Sequence, residues 1–372
     1  MNTISVKRKM SFKEKLQERS KQLIEIDGKT LVNLGLSVKD GVFMLSLLPY
    51  FALYCRSAQE FFGERIIDND TDRQINDLRN GLKLYSEKYN KSKDATLNSD
   101  EQQNNIFKNM LRFKFMQDWN IYYNLGVYID MEGHIIGDTQ FLNYFLNIPS
   151  VDIEVQNERA YAIGEFLGKK TAYILNAYFG IKNIHKYSEI NMLPKYGYID
   201  MNTNIRHQFF NKDVGKELNL IILHILSSIG FVNNMLCNLM SDDNLWLNRI
   251  KYISAHYAWS GLKKVKQHFD NEKQSVNVFS EDINQFIKNG SYLFPSNFRN
   301  CMMHYDFCNK GTEVIMEKYF SDDKPFFGLI ESCFGGKSYS RFFSELSIFL
   351  NDLEKYLLSW FNVDMKKVKW DL

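Results

Sequence analysis

Proline is scarce in this chain of 372 residues, with five copies at positions 49, 149, 194, 295 and 325. Because proline interrupts helices, its scarcity permits long helices and argues against a proline-rich linker array or a loop-rich β protein. Cysteine is also rare, since the chain has five copies, an odd number, and no Cys-x-x-Cys pair. This pattern argues against a disulfide scaffold or a zinc ribbon and favours a reducing cytoplasmic location.

An excess of charge of one sign is missing too, because 46 basic residues nearly balance 44 acidic residues and give a net charge of +2. Any binding of nucleic acid must therefore depend on a local basic surface. With 45% hydrophobic and 24% charged residues, the chain is too apolar for intrinsic disorder and too mixed for a membrane bundle. The polar, basic start of the sequence is not followed by an apolar run, so we expect no signal peptide.

Two uncharged runs, residues 41–55 and residues 218–241, have the apolar character of membrane spans. The first run is too short to cross a bilayer and contains Pro49. The second run carries four asparagines and His224, which are costly in lipid. We therefore expect both runs to form buried helices of a soluble protein.

In the N-terminal half, capping residues predict where the first helices begin. Ser11 and Glu14 have the spacing of a capping box, which predicts a helix to about residue 26. Asp40 is a suitable N-cap for a second helix that reaches about residue 62 and bends at Pro49. The remaining predictions for this half are an exposed polar connection at residues 86–105, a helix at 106–123, a small hairpin at 127–136 and a helix at 157–180.

The C-terminal half has a clearer helical pattern. The segment around Pro194 is the best candidate for a boundary between a mostly helical domain of unknown role, residues 1–195, and a second helical domain, residues 205–372. Four long helical patterns joined by modest loops in the second part predict an antiparallel four-helix bundle and an all-α protein. These patterns cover residues 214–241, 244–269, 296–320 and 339–361, with a short helix at 281–288.

The third of these patterns carries a polar constellation. On a helical wheel, Asn300 and His304 are four residues apart and share a face, and Arg299 lies on its flank. The same side presents Met303 and Phe307. A face that is partly apolar and partly cationic is expected to contact another subunit or a ligand.

This arrangement resembles a motif of the HEPN superfamily. In that motif an Arg is followed directly by a polar residue and, a few residues later, by a His, on a late helix of a four-helix bundle. Arg299, Asn300 and His304 match that motif, and the resemblance covers residues 214–361 only. It implies an all-helical, usually dimeric protein. Many HEPN proteins are metal-independent ribonucleases of toxin–antitoxin, abortive-infection and CRISPR systems, and others are catalytically silent binding modules. In the active members, two copies of the motif meet across a dimer interface.

The resemblance implies an endoribonuclease that acts as a toxin or antiviral defence effector, with RNA as substrate and no cofactor or metal. His304 would transfer protons near neutral pH, Arg299 would hold phosphate oxygens, and Asn300 would orient the imidazole or bind phosphate. A homodimer would form the composite site, with Met303 and Phe307 at the interface. Because uncontrolled ribonuclease activity would harm the host, the resemblance also implies an antitoxin or activator protein as a partner.

A second basic feature is the helical pattern at residues 244–269, which contains no acidic residue. Its cations form a stripe that could follow RNA phosphates, and a solvated helix face explains them equally well. The five residues of this stripe are Arg249, Lys251, Lys263, Lys264 and Lys266.

Other functions fit the same residues. The main alternative is a catalytically silent, HEPN-like interaction protein that binds a partner through Met303 and Phe307. In that case Arg299 and His304 make ordinary hydrogen bonds. A further alternative is a target protein in which a partner enzyme attaches a nucleotide to a tyrosine such as Tyr305.

Overall fold

The computed structural model describes residues 10–64, 70–111, 114–119, 122–146, 153–187, 189–205, 208–271, 281–308 and 311–370. Helices dominate this part of the chain, as predicted. The α-helices are α1 (Phe12–Ser37), α2 (Gly41–Phe62), α3 (Asp70–Leu82), α4 (Tyr89–Met110), α5 (Lys114–Asp118), α6 (Thr139–Leu146), α7 (Ile153–Phe179), α8 (Lys216–Gly230), α9 (Cys237–Leu239), α10 (Leu245–Asn271), α11 (Glu281–Leu293), α12 (Ser296–His304), α13 (Leu329–Cys333) and α14 (Tyr339–Leu358). Short 3₁₀-helices span Leu84–Ser86, Pro325–Gly328 and Met365–Lys367.

A small antiparallel sheet accompanies the helices. It consists of β1 (Leu125–Asp130), β2 (Ile135–Asp138) and β3 (Tyr196–Met201), with β1 in the centre. The predicted hairpin at residues 127–136 is thus confirmed as β1 and β2. The third strand was not predicted, and it lies in the segment that the sequence suggested as a domain boundary.

The predicted caps of the first two helices are confirmed. The Glu14 backbone N–H donates to Ser11 Oγ at 3.3 Å, and the Ser11 N–H donates to the Glu14 carboxylate at 2.7 Å. Asp40 accepts from the Phe43 N–H at 2.8 Å. The predicted polar connection at residues 86–105 is wrong, because most of it belongs to α4. Its polar side chains are compatible with a packed helix because several, such as buried Asp100, find hydrogen-bond partners in the core.

The third long helix of the C-terminal half is much shorter than predicted. Helix α12 ends at His304 rather than near residue 320, because Tyr305 adopts a left-handed conformation with φ of 56°. The Tyr305 N–H donates to Cys301 O at 3.1 Å and closes the helix. This strained cap is held by the burial of the Tyr305 side chain. The chain therefore turns away immediately after the candidate histidine.

The two apolar runs lie largely inside the protein. Helices Gly41–Phe62 and Lys216–Leu239 are long and apolar enough to cross a membrane, yet 72% and 78% of their most apolar stretches are buried against the rest of the chain. The second run contains α8 and continues through a π-helical turn, Phe231–Leu236, into α9. Packing in the core accounts for the apolar character of both.

One hydrophobic core joins the two halves of the chain. Buried Leu23 of α1 and Ile135 of β2 belong to the same cluster as Leu223 of α8 and Ile253 of α10. Helices α1 and α2 also contact α10 and α12 respectively. The segment proposed as a boundary is occupied by β3, which hydrogen bonds along β1. As a result, the surroundings of α12 are built from both halves.

Candidate functional site

His304 stands at the C-terminal end of α12 and faces a cleft. Its Nδ1 lies 3.1 Å from Glu60 Oε2 of α2, and its side chain is 39% exposed. The cleft has a volume of about 320 Å³ and is lined by α1, α2 and the segment after α12. Because Nδ1 is engaged by Glu60, Nε2 is the ring nitrogen that remains for proton exchange with a ligand.

The carboxylate of Glu60 contacts His304 and two arginines. The Arg56 Nε donates to Glu60 Oε1 at 2.9 Å, and Arg79 Nη1 lies 3.7 Å from the same oxygen. The hydrogen bond from His304 lowers the pKa of Glu60 to about 2, and Arg79 and Arg56 act in the same direction against the effect of burial. Glu60 is therefore ionised at neutral pH and holds the imidazole in one orientation.

Arg299 and Asn300 form a separate pair on the same helix. The Arg299 Nη2 and Nε donate to Asn300 Oδ1 at 2.7 and 3.2 Å. The expectation that Asn300 orients the His304 imidazole is therefore wrong in this structure, because Asn300 holds the guanidinium and Glu60 holds the imidazole. Arg299 also faces α10, where burial and then the Arg299 charge lower the pKa of His256 to about 4.

The last turn of α12 is clamped through its backbone. The Arg249 Nη1 donates to Met302 O at 2.8 Å, and Ser57 Oγ donates to Met303 O at 2.6 Å. The last carbonyl groups of a helix lack partners within the helix, so these bonds satisfy groups that the fold would otherwise leave unpaired. The clamp fixes the end of the helix on which His304 stands.

A buried charge cluster completes the clamp. Arg249 Nε lies 2.7 Å from Asp27 Oδ2, and the Tyr305 hydroxyl donates to the same oxygen at 2.7 Å. Arg249 also donates to the Tyr305 hydroxyl and lies over its ring, with 4.1 Å between the guanidinium carbon and the ring centroid. Burial raises the pKa of Asp27, and the Arg249 charge opposes this rise. The cluster ties α1 and α10 to the segment that closes α12.

The predicted RNA-binding stripe is wrong at two of its five positions. Arg249 is fully buried and Lys251 is 6% exposed, so neither presents its charge to an RNA backbone. The other three lysines are partly exposed, and their binding to RNA stays a prediction. Lys263 lies over the Trp259 ring, Lys264 contacts Gln267, and Lys266 forms an ion pair with Asp270.

The predicted dimer-interface residues lie inside the chain. Met303 is 7% exposed and Phe307 is 1% exposed, so neither forms an accessible apolar face. The prediction of an interface at these residues is wrong, because the end of α12 and the segment that follows it pack against neighbouring elements. Tyr305 is also fully buried, with its hydroxyl bonded to Asp27, and does not offer an accessible target for nucleotide transfer.

Comparison with protein-family models, curated proteins and solved structures gives no match to this chain. The resemblance to HEPN proteins therefore rests on the motif around α12 and its helical context. Within the described segments, no group of three or more His, Cys, Asp and Glu side chains is arranged to hold a metal ion.

Sequence reasoning missed the groups that surround His304. Glu60 is 244 positions away from His304, and Arg79 lies on a different helix from both. Arg56 and Glu60 do carry a local signal, since their spacing of four residues is typical of an ion pair on one helix face. That signal does not indicate which distant histidine the pair contacts.

Proposed function

We propose that this chain is a metal-independent endoribonuclease of the HEPN type, whose C-terminal helices form a variant of the HEPN bundle. One observation carries the proposal: the His304 imidazole is held by an ionised Glu60 on the wall of an open cleft, with arginines beside it. A histidine side chain held in this way can exchange a proton with a ligand through its free ring nitrogen. Guanidinium groups are suited to binding phosphate oxygens.

In the proposed reaction, the 2′-oxygen of RNA attacks the adjacent phosphorus and its proton moves to Nε2 of His304. The bond to the 5′-oxygen breaks, and this oxygen takes up a proton as it leaves. The products are a 2′,3′-cyclic phosphate and a 5′-hydroxyl. Arg299 neutralises charge on the phosphate oxygens, assisted by Arg79. A homodimer supplies the second proton-transfer group, a second copy of His304.

The biological role proposed from the same resemblance is that of a toxin or antiviral defence effector in the cytoplasm, restrained by an antitoxin or activator protein. The competing interaction-protein function loses support, because it depended on an apolar surface at Met303 and Phe307 and both are buried. The dimer interface of the proposed enzyme must therefore use other residues.

Cleavage of a labelled single-stranded RNA in the presence of EDTA tests the proposal. We expect the wild-type chain to release fragments with 2′,3′-cyclic phosphate ends and His304→Ala to be about 100-fold slower or worse. His185→Ala is the matched control, because His185 is exposed and bonds to Asn183 O away from the cleft. Cleavage by His304→Ala at the wild-type rate, or no cleavage by the wild type, would overturn the proposal.

Glu60 acts on the reaction through His304 and is a positioning residue. Replacing it with glutamine keeps its size and removes the charge that holds the imidazole. We expect Glu60→Gln to lower kcat with little change in KM and Glu60→Asp to recover part of the loss. An unchanged kcat in Glu60→Gln would show that this contact is structural only.

A further inference from the structure

We propose that the cleft beside His304 is a nucleobase-binding pocket that selects guanine, with Asp306 and Gln17 as the residues that determine specificity. The inference rests on the proposed ribonuclease function and adds which nucleotide the site prefers next to the bond that is cut.

The size and position of the cleft fit one nucleoside. Its volume of about 320 Å³ lies at the lower end of the range of small-molecule sites and is too small for a folded partner element. His304 forms part of its wall, so an occupant lies against the imidazole. A base bound there places its own ribose and phosphate next to the group that transfers the proton.

The lining supplies both an aromatic surface and polar groups that read a base edge. Phe61 of α2 is partly buried and lines the cleft, and aromatic side chains are the surfaces on which unpaired bases stack. Gln17 of α1 is exposed and offers an amide with both donors and an acceptor. Asp306 lies on the segment after α12 and lines the same space.

The carboxylate of Asp306 gives the pocket its preference. The Cys308 N–H donates to Asp306 Oδ1 at 2.8 Å, which fixes the side chain at the cleft. A carboxylate only accepts hydrogen bonds, so it favours a base edge that presents N–H donors. Guanine presents two adjacent donors, N1–H and the N2 amino group, whereas uracil presents one donor between two carbonyl acceptors. The Gln17 amide can then donate to guanine O6.

Two guanidinium groups lie next to Glu60, although neither is part of the cleft lining. Arg56 and Arg79 reach the carboxylate of Glu60, which is itself part of the cleft wall. A nucleotide with its base in the cleft and its phosphate beyond Glu60 would reach these two guanidinium groups. This arrangement favours a nucleotide over a neutral base or nucleoside.

Binding of mononucleotides to the full chain tests the pocket independently of cleavage. We expect isothermal titration calorimetry to show guanosine 3′-monophosphate binding at least about tenfold tighter than uridine, adenosine or cytidine 3′-monophosphate. Asp306→Asn should weaken the guanosine nucleotide by about tenfold and leave the uridine nucleotide unchanged. Asp323→Asn, an exposed aspartate outside the cleft, is the charge-matched control and should bind like the wild type. Equal binding of the four nucleotides, preference for another base, or no effect of Asp306→Asn would overturn the proposal.

Mapping the cleavage sites on an RNA that contains all four bases separates this proposal from the one on which it rests. We expect cleavage next to guanine in the wild type and a loss of this preference in Asp306→Asn. Cleavage that depends on His304 but shows no base preference would overturn the guanine pocket and leave the ribonuclease function intact. Selective binding of the guanosine nucleotide without any cleavage would support the pocket and overturn the ribonuclease function.

Discussion

Asp27 and Arg249 place opposite charges in a part of the core where both side chains are fully buried. Removing one partner leaves the other charge buried and uncompensated, which typically costs about 3–5 kcal/mol. We expect Asp27→Ala to lower the free energy of unfolding, measured in urea, by about that amount. Asp322→Ala is the control, because Asp322 pairs with Arg19 at the surface, and its loss should be about 0–1 kcal/mol. Similar small losses in both variants would contradict the assigned role of the cluster.

The burial of His256 leads us to expect that the stability of the protein depends on pH. Burial, followed by the Arg299 charge, lowers its pKa from 6.5 to about 4, so the unfolded chain binds the proton more readily than the folded chain. Stability should therefore fall as the pH falls from 6.5 to 4, by up to about 3 kcal/mol from this residue. Thermal unfolding followed by circular dichroism between pH 7 and pH 4 measures the effect. His256→Phe should flatten this part of the profile, and an identical profile in the variant would contradict the prediction.

Single residues also show how much of the candidate site could be predicted from the sequence. Arg299 and His304 are close in the chain, so helical spacing identified both and placed them on one helix. The partner of His304 was not readable, because Glu60 meets it only after α2 and α12 pack together. The burial of Arg249 could not be predicted either. The helical pattern of the sequence is the same whether a cation faces solvent or a buried carboxylate.

At the scale of elements, helix starts were predicted better than helix ends. The caps at Ser11 and Asp40 are interactions between residues three apart, so the sequence contains them in full. The end of α12 depends on Tyr305, whose left-handed conformation is held by contacts with Asp27 and Arg249 from distant helices. A pattern that continues in helical period to residue 320 therefore overestimated this helix.

The junction between α8 and the sheet gives a prediction at the same scale. A Cβ at Gly230 would lie 1.9 Å from the carbonyl oxygen of Ile135, a contact with backbone that cannot move aside easily. We expect Gly230→Ala to destabilise the protein by about 1–3 kcal/mol in urea denaturation. Gly168 of α7 is the control, because a Cβ there meets nothing within 4 Å and alanine is the better helix former. A neutral Gly230→Ala would show that α8 can shift away from β2.

At the scale of the whole molecule, the shared core argues against a C-terminal half that folds alone. A division near residue 200 would interrupt the pairing of β3 with β1. It would also separate α1 and α2 from α10 and α12, which they contact. A fragment of residues 205–372 would also leave Arg249 without Asp27. We expect this fragment to lack the cooperative thermal unfolding of the full chain and to give poorly dispersed amide signals in NMR spectra. A well-dispersed spectrum and a sharp transition would support an autonomous C-terminal domain instead.

The buried cluster around Asp27 has a consequence for how the protein is made. Asp27 and Tyr305 are 278 positions apart, so at synthesis rates of about 5–20 residues per second the ribosome needs roughly 15–55 seconds to pass from one to the other. During that time Asp27 of the first helix lacks Tyr305, the partner through which it stabilises the end of α12. The contacts that fix the end of α12 therefore form only after most of the chain has emerged from the ribosome.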